Sequence, residues 1–329
     1  MKRRIVILSI LMMLLSVFVW ARGASQQQEK VVAGVVFQED QFMRLLTLGY
    51  QDAAREAGVR VMLANTNNDQ AREAELVNTY VAQNVSGLVI APLNPASSIP
   101  VLERASATMK IATVNSSLTN APFIVGGYTS DNKNLGATSG EAAAEFIRTQ
   151  LGGRARIALI RFNSLLPEQS NDRVNGFMEA VRKVNPNVEV VAEQDAWLQD
   201  TAVQVAGDIL TANRDIDLIF GANDGATIGS VMAVRNAGLA GRCVVFGIDT
   251  GEQQIAMLRN SDNILQAITG QDPYTQAYNA MKVLISAING GNYSATQGKT
   301  IIVPGVLLTR SNPAGIDAFE RDLSAKLSR

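Results

Sequence analysis

From Val31 to Thr309 short apolar runs alternate with longer amphipathic stretches, and this alternation restricts the fold more than any other feature. Val31–Phe37, Val59–Leu63, Gly87–Ala91, Lys110–Val114 and Phe123–Gly127 read as strands, since each is a brief apolar run next to Gly, Pro, Asn or Asp. The stretches 41–57 and 70–83, and one ending near Ala107, repeat apolar residues at helical spacing. Gly58 ends the first of these and Asp69 caps the second. After a helical stretch near 135–151, a second series begins beyond Gly152-Gly153. Its strands are Ala155–Ile160, Val188–Ala192, Asp217–Phe220, Cys243–Ile248 and Ile264–Ile268, separated by helical stretches near 169–183, 201–212, 226–237 and 252–259. No hairpin signal interrupts either series, so both read as parallel sheets covered by helices. The expected fold class is α/β, with two similar doubly wound parallel-sheet lobes joined by a hinge.

Composition agrees and removes several functions. Aromatic residues are 5% of the chain while 47% is hydrophobic, which leaves Val, Ile, Leu and Ala to fill buried parallel strands. With 29 basic and 30 acidic residues spread along the sequence, there is no basic footprint for nucleic acid. Histidine is absent, and with it the usual general base and the commonest metal ligand. The single cysteine, Cys243, sits in an apolar run and reads as a buried thiol. Gly298-Lys299-Thr300 looks like the end of a phosphate-binding loop, but Tyr293 stands where its first glycine is required. No metal and no cofactor are expected.

The amino terminus reads as a targeting segment. Lys2-Arg3-Arg4 precede an apolar run from Ile5 to Trp20, followed by the small residues Ala21, Gly23, Ala24 and Ser25. The run is shorter than the about 20 residues of a spanning helix, so a signal peptide over 1–24 is expected, with an uncleaved anchor as the alternative. No cysteine follows the run to accept a lipid. Export to the periplasm is the expectation.

One lobe is expected over 31–129 with 273–303, and the other over 130–272 with 304–329. The helical stretch Pro273–Ile288 and the short runs Thr300–Val303 and Gly305–Thr309 would rejoin them. Loops at the carboxyl ends of both sheets would then face each other across a cleft suited to a small ligand.

Ordered landmarks run along the chain. They are Gly49-Tyr-Gln-Asp-Ala-Ala54, Val89-Ile-Ala-Pro-Leu-Asn94, Ser130-Asp131-Asn132, Arg173-Val-Asn-Gly176-Phe177, Phe220-Gly-Ala-Asn223-Asp224, Gly247-Ile-Asp249 and Gln271-Asp-Pro273. Together they make the chain resemble the type 1 periplasmic binding proteins, in the cluster of ribose-, galactose- and allose-binding proteins. The resemblance implies capture of a monosaccharide or polyol for an ABC permease in the inner membrane, by a monomer that is not an enzyme. It also leaves room for a chemoreceptor or sensor kinase as a further partner, and for a signalling furanose as ligand.

The same resemblance assigns Asn223, Asp249, Gln271 and Arg173 to ligand hydroxyls, Trp197 and Phe42 to the apolar face of a sugar, and Phe37 and Met43 more weakly to that face. Asp224 would cap the following helix. Where ribose-type relatives carry Asp-Arg, this chain has Asn115-Ser116, and Asp40 stands where they often have Asn. These changes unsettle a pentose preference and favour a different stereochemistry, a polyol, or a ligand with a donor-rich end. Two other readings are weaker. A repressor core would need a helix-turn-helix before Val31, and a glycosidase would use Asp40 and Asp249 as its carboxylate pair.

Overall fold

The protein, seen in a computed structural model, is described over residues 30–328, so the expected signal segment 1–24 lies outside the described residues. Among the described residues, strands alternate with helices through most of the chain, though the strand Ile124–Thr129 follows the strand Lys110–Val114 directly. β1 (Val31–Val36), β2 (Arg60–Asn65), β3 (Gly87–Ile90), β4 (Lys110–Val114) and β5 (Ile124–Thr129) build one sheet, joined late in the chain by β11 (Thr300–Ile302). Its order is β11-β5-β4-β3-β1-β2, and every pairing is parallel. The second sheet has β6 (Arg156–Arg161), β7 (Glu189–Asp195), β8 (Leu218–Gly221), β9 (Val244–Ile248), β10 (Leu265–Gly270) and β12 (Val306–Thr309) in the order β12-β10-β9-β8-β6-β7. The two orders correspond strand for strand. Inner strands such as β3, β4, β8 and β9 are apolar and buried almost throughout, because helices cover both faces.

One pairing departs from the parallel rule, since β12 runs antiparallel to β10. The chain leaves β11 at the carboxyl end of the first sheet and crosses directly through Pro304-Gly305. It enters the second sheet from that sheet's carboxyl end, and can then only run backwards along β10. Two other crossings, at Ser130-Asp131 after β5 and Gln271-Asp272 after β10, use the same face of the molecule.

Helices α1 (Gln41–Glu56), α2 (Gln70–Ala82) and α3 (Pro95–Ala105) belong to the first series. Helices α4 (Asn132–Gln150), α5 (Pro167–Val184), α6 (Gln199–Ala212), α7 (Asp224–Asn236) and α8 (Glu252–Arg259) belong to the second. α9 (Pro273–Ile288) returns to pack on α1 and on β3, β4 and β5. The last helix, α10 (Pro313–Leu327), goes beyond the sequence reading, which stopped at Thr309. It packs on β12, α8 and α1 but buries only Ile316 and Leu323, too thin an apolar stripe to announce a helix.

Two close helix contacts set the positions that matter below. A Cβ on Gly136 of α4 would lie 1.9 Å from the Arg173 carbonyl of α5, and one on Gly176 would lie 2.0 Å from the Lys133 carbonyl. Only glycine permits that approach, and the contact fixes the helix that carries Arg173.

Candidate functional site

Strand ends from both sheets converge on one cavity. Phe37, Gln38 and Asp40 follow β1 and Asn115 follows β4, while Asn223 follows β8, Asp249 follows β9 and Gln271 follows β10. Phe42 and Met43 of α1, Gln169 and Arg173 of α5, Asp224 of α7, and the α5 approach residues Phe162, Leu165 and Leu166 complete the lining. The space is about 50 Å³.

The second lobe presents a connected polar wall. Arg173 is 3% exposed, donates through Nε to Asn132 Oδ1 at 2.9 Å and through Nη1 to the Ala222 carbonyl at 2.9 Å, and stands 3.7 Å from Asp249 Oδ2. Its guanidinium lies 5.0 Å from the Phe162 ring centre. Asp249 Oδ1 accepts from Gln271 Nε2 at 2.7 Å, and its Oδ2 accepts the Asp224 backbone N–H at 3.1 Å. The side chain of Asp249 is thus oriented from three directions.

From the first lobe, Asp40 caps α1 by accepting from Met43 N–H at 2.7 Å, and its other oxygen accepts from Gln38 Nε2. The lobes touch directly. Gln169 Nε2 donates to the Asn115 carbonyl at 2.9 Å and the Ser116 hydroxyl at 3.0 Å, and Gln41 Oε1 accepts the Glu252 N–H at 2.9 Å.

Of the residues expected from sequence, Phe37, Asp40, Phe42, Asn115, Arg173, Asn223, Asp249 and Gln271 line this cavity, as does Met43, while Ser116 and Trp197 do not. Ser116 faces a neighbouring surface cavity, because the left-handed turn at Asn115 (φ 65°) carries the next side chain away. Trp197 is partly buried and packs against the hydrophobic core. Its carbonyl accepts from Asn223 Nδ2 at 3.0 Å and is approached so closely by Gly225 that a Cβ there would lie 2.2 Å away. It braces the loop rather than facing the cavity.

The helix cap expected at Asp224 falls on Asn223, and both residues line the cavity. Asn223 is the N-cap of α7, with Oδ1 accepting from Ala226 N–H at 3.1 Å and Nδ2 held by the Trp197 carbonyl and Asp224. Asp224 is the first residue of the helix, and its carboxylate lines the cavity. One Asp224 oxygen accepts from Gly225 N–H at 2.7 Å and from Asn223 Nδ2 at 3.2 Å. Sequence reasoning also passed over Gln38 and Gln169; the second sits one helical turn before Arg173, a spacing that places both on one face.

Three carboxylates against one guanidinium make the cavity electrostatically unusual. Burial pushes the Asp224 carboxyl up to about 7, helped by the nearby Asp249 and Asp40 charges. Burial also raises Asp40, with Asp249 adding repulsion, and lowers Arg173 against the opposing pull of Asp249 and Asp224. A second cavity on the hinge side shares Phe42, Asp224, Asp249 and Gln271, and is closed by Phe319, Leu323 and Lys326 of α10.

Residues 32–292 match the periplasmic binding protein domain. The chain belongs to the periplasmic binding protein family. This binding protein is 28% identical over 265 residues to the ABC transporter periplasmic-binding protein YphF of Escherichia coli (strain K12), covering 78% of each chain. It is 28% identical over 255 residues to the D-allose-binding periplasmic protein of the same organism, covering 74% of this chain and 79% of that one. Among solved structures, the fold matches an ABC transporter periplasmic solute binding protein from Actinobacillus succinogenes 130z with bound D-allose. That match has a TM-score of 0.77 and 24% identity, over 87% of this binding protein and 99% of the other.

Proposed function

We propose that this periplasmic binding protein captures a monosaccharide or related polyol between its two lobes and delivers it to an ABC importer. The observation that carries the reading is one cavity walled by planar polar groups from both lobes, with Arg173, Asp249 and Gln271 on one side and Asp40 and Asn115 on the other. Fork-like and carboxylate groups bond adjacent hydroxyls as donor and acceptor. Phe37, Phe42 and Phe162 offer apolar faces for the C–H side of a ring. The curated relatives include proteins named for D-allose, ribose and xylitol.

Binding acts by population shift. Because the ligand touches both lobes only when they close, it stabilises the closed form by its differential affinity for that form. The moving bodies are residues 31–129 with 273–303 and residues 130–272 with 304–329. Residues 1–24 direct export to the periplasm, and the protein acts there as a monomeric carrier without catalytic turnover.

A thermal-shift screen of the mature protein against pentoses, hexoses and polyols tests this. A ligand at 100 times its dissociation constant adds about 2.7 kcal/mol of stability, a clear rise in melting temperature. No shift with any sugar or polyol would overturn the reading.

A further inference from the structure

We infer that the molecule held in the interlobe cleft carries a protonated amine, making it an amino sugar or amino cyclitol rather than a neutral one. The inference rests on the sugar-capture reading and narrows its ligand class.

Charge balance is the first argument. The cavity lining includes Asp40, Asp224 and Asp249 but only Arg173 as a cation. Arg173 lies 3.7 Å from Asp249, and its Nε and Nη1 serve Asn132 and the Ala222 carbonyl. Among the described residues lining the hinge-side cavity, Lys326 is the one cation. There Lys326 binds Asp272 at 3.2 Å and Asp322 at 2.8 Å. Buried carboxylates left without a counter-charge are costly, so a cationic guest relieves the site where a neutral one does not.

Hydrogen-bond polarity is the second argument, independent of charge. Among the described residues, no donor reaches the second carboxylate oxygen of Asp224, since its donors Gly225 and Asn223 both use Oδ1. Gln38 lines the same cavity, and its Oε1 is buried without a donor because Nε2 is held by Asp40. Both unfilled groups are acceptors. An ammonium offers three donors and no acceptor, whereas each hydroxyl brings acceptor lone pairs as well. A bare metal ion is a poor alternative, because no group of three or more His, Cys, Asp or Glu among the described residues is placed to hold one.

The test is calorimetry on the mature protein with matched pairs: D-glucose and D-glucosamine, D-galactose and D-galactosamine, myo-inositol and an amino-inositol. At about pH 7.5 much of the amine is protonated, and in at least one pair the amino member should bind at least about tenfold tighter. That advantage should shrink at about pH 5.5, where Asp224, facing Asp40, Asp249 and Arg173, takes up a proton. Asp224→Asn should abolish the advantage of the amino member at both pH values. The wild-type pH comparison stands alone should that variant fold poorly. Neutral members binding as tightly as amino members in every pair would overturn this inference and leave sugar capture intact. Absence of binding by both members of every pair would instead count against sugar capture, and the inference would fall with it.

Discussion

Asn115 and Asp249 hold equivalent places in the two lobes: each is the first residue beyond a corresponding strand, β4 and β9, and each adopts a left-handed backbone, with φ of 65° and 72°. Each also donates its backbone N–H to the neighbouring strand, Asn115 to the Tyr128 carbonyl and Asp249 to the Thr269 carbonyl, both at 2.9 Å. Asn and Asp tolerate this conformation better than most side chains, and it turns both of them into the cleft. The two walls are thus built on one plan with different chemistry, a neutral amide opposite a carboxylate.

That plan predicts a split between stability and binding at Asn115. Asn115→Val places a β-branched residue at positive φ and should destabilise the protein by about 1 to 3 kcal/mol in urea melts. Asn115→Gly removes the strain along with the amide, so it should keep near-native stability but bind ligand more weakly. Equal loss of stability in both variants would show that the backbone conformation is not what the position requires.

Gln169 predicts a different pattern, because its amide bridges the lobes through the Asn115 carbonyl and the Ser116 hydroxyl. Gln169→Ala should lose about 0.5 to 1.5 kcal/mol per hydrogen bond, and only in the closed form. Affinity should therefore fall by a similar factor for every ligand bound, and small-angle scattering should show a more open average shape. A changed ranking of ligands would mean that Gln169 acts mainly by touching them.

The sequence exposed the strands and most helices because parallel strands covered on both faces need continuous apolar runs, and β3 and β8 are buried at every position. It concealed α10, whose burial rests on Ile316 and Leu323 alone. At the site, strand-end positions were readable because a loop after a strand has one place to go. That Asn223 and not Asp224 caps α7 was not readable, since either side chain can cap a helix and the choice depends on the Trp197 carbonyl across the loop. The placement of Trp197 outside this cavity's lining was not readable either, because an aromatic residue looks alike in a binding wall and in a core.

Arg173 should tolerate no replacement. Lysine keeps the charge but lacks the fork that serves Asn132 and the Ala222 carbonyl together, so Arg173→Lys should weaken binding nearly as much as Arg173→Ala. Calorimetry should register about 1.5 to 3 kcal/mol in each case, the value of hydrogen bonds to a charged group. Affinity in Arg173→Lys equal to that of the native protein would remove Arg173 from the site.

Asp224 makes stability depend on pH. Its carboxyl is raised from 3.8 to about 7 in the folded protein, so the folded state holds a proton that the unfolded chain has released. The contribution is fully present below about pH 4 and is lost as pH rises through about 7. Asp224→Asn removes this penalty and should melt higher than the native protein at about pH 8, by on the order of 1 kcal/mol or more, with the gap closing towards about pH 4. A constant difference across that range would assign the effect to packing instead of titration.

The α4–α5 contact sets where Arg173 stands, so a change remote from the ligand should reach it. In Gly136→Ala the new methyl group meets the Arg173 carbonyl at 1.9 Å, a distance that side-chain rotation cannot relieve because the obstacle is backbone. The helices must separate, which should cost about 1 to 3 kcal/mol of stability, as overpacking does elsewhere. The same shift should lengthen the Arg173 contacts with Asn132 and Asp249 and lower ligand affinity, although Gly136 is not part of the cavity lining. Gly140→Ala is the control. It lies one turn further along α4, where a Cβ would lie 2.5 Å from the Phe177 carbonyl, so it crowds the same interface further from the guanidinium. Both variants should lose stability, and Gly136→Ala should lose more affinity. Equal losses of affinity would mean that the lobe responds as a rigid whole and that this contact does not position Arg173.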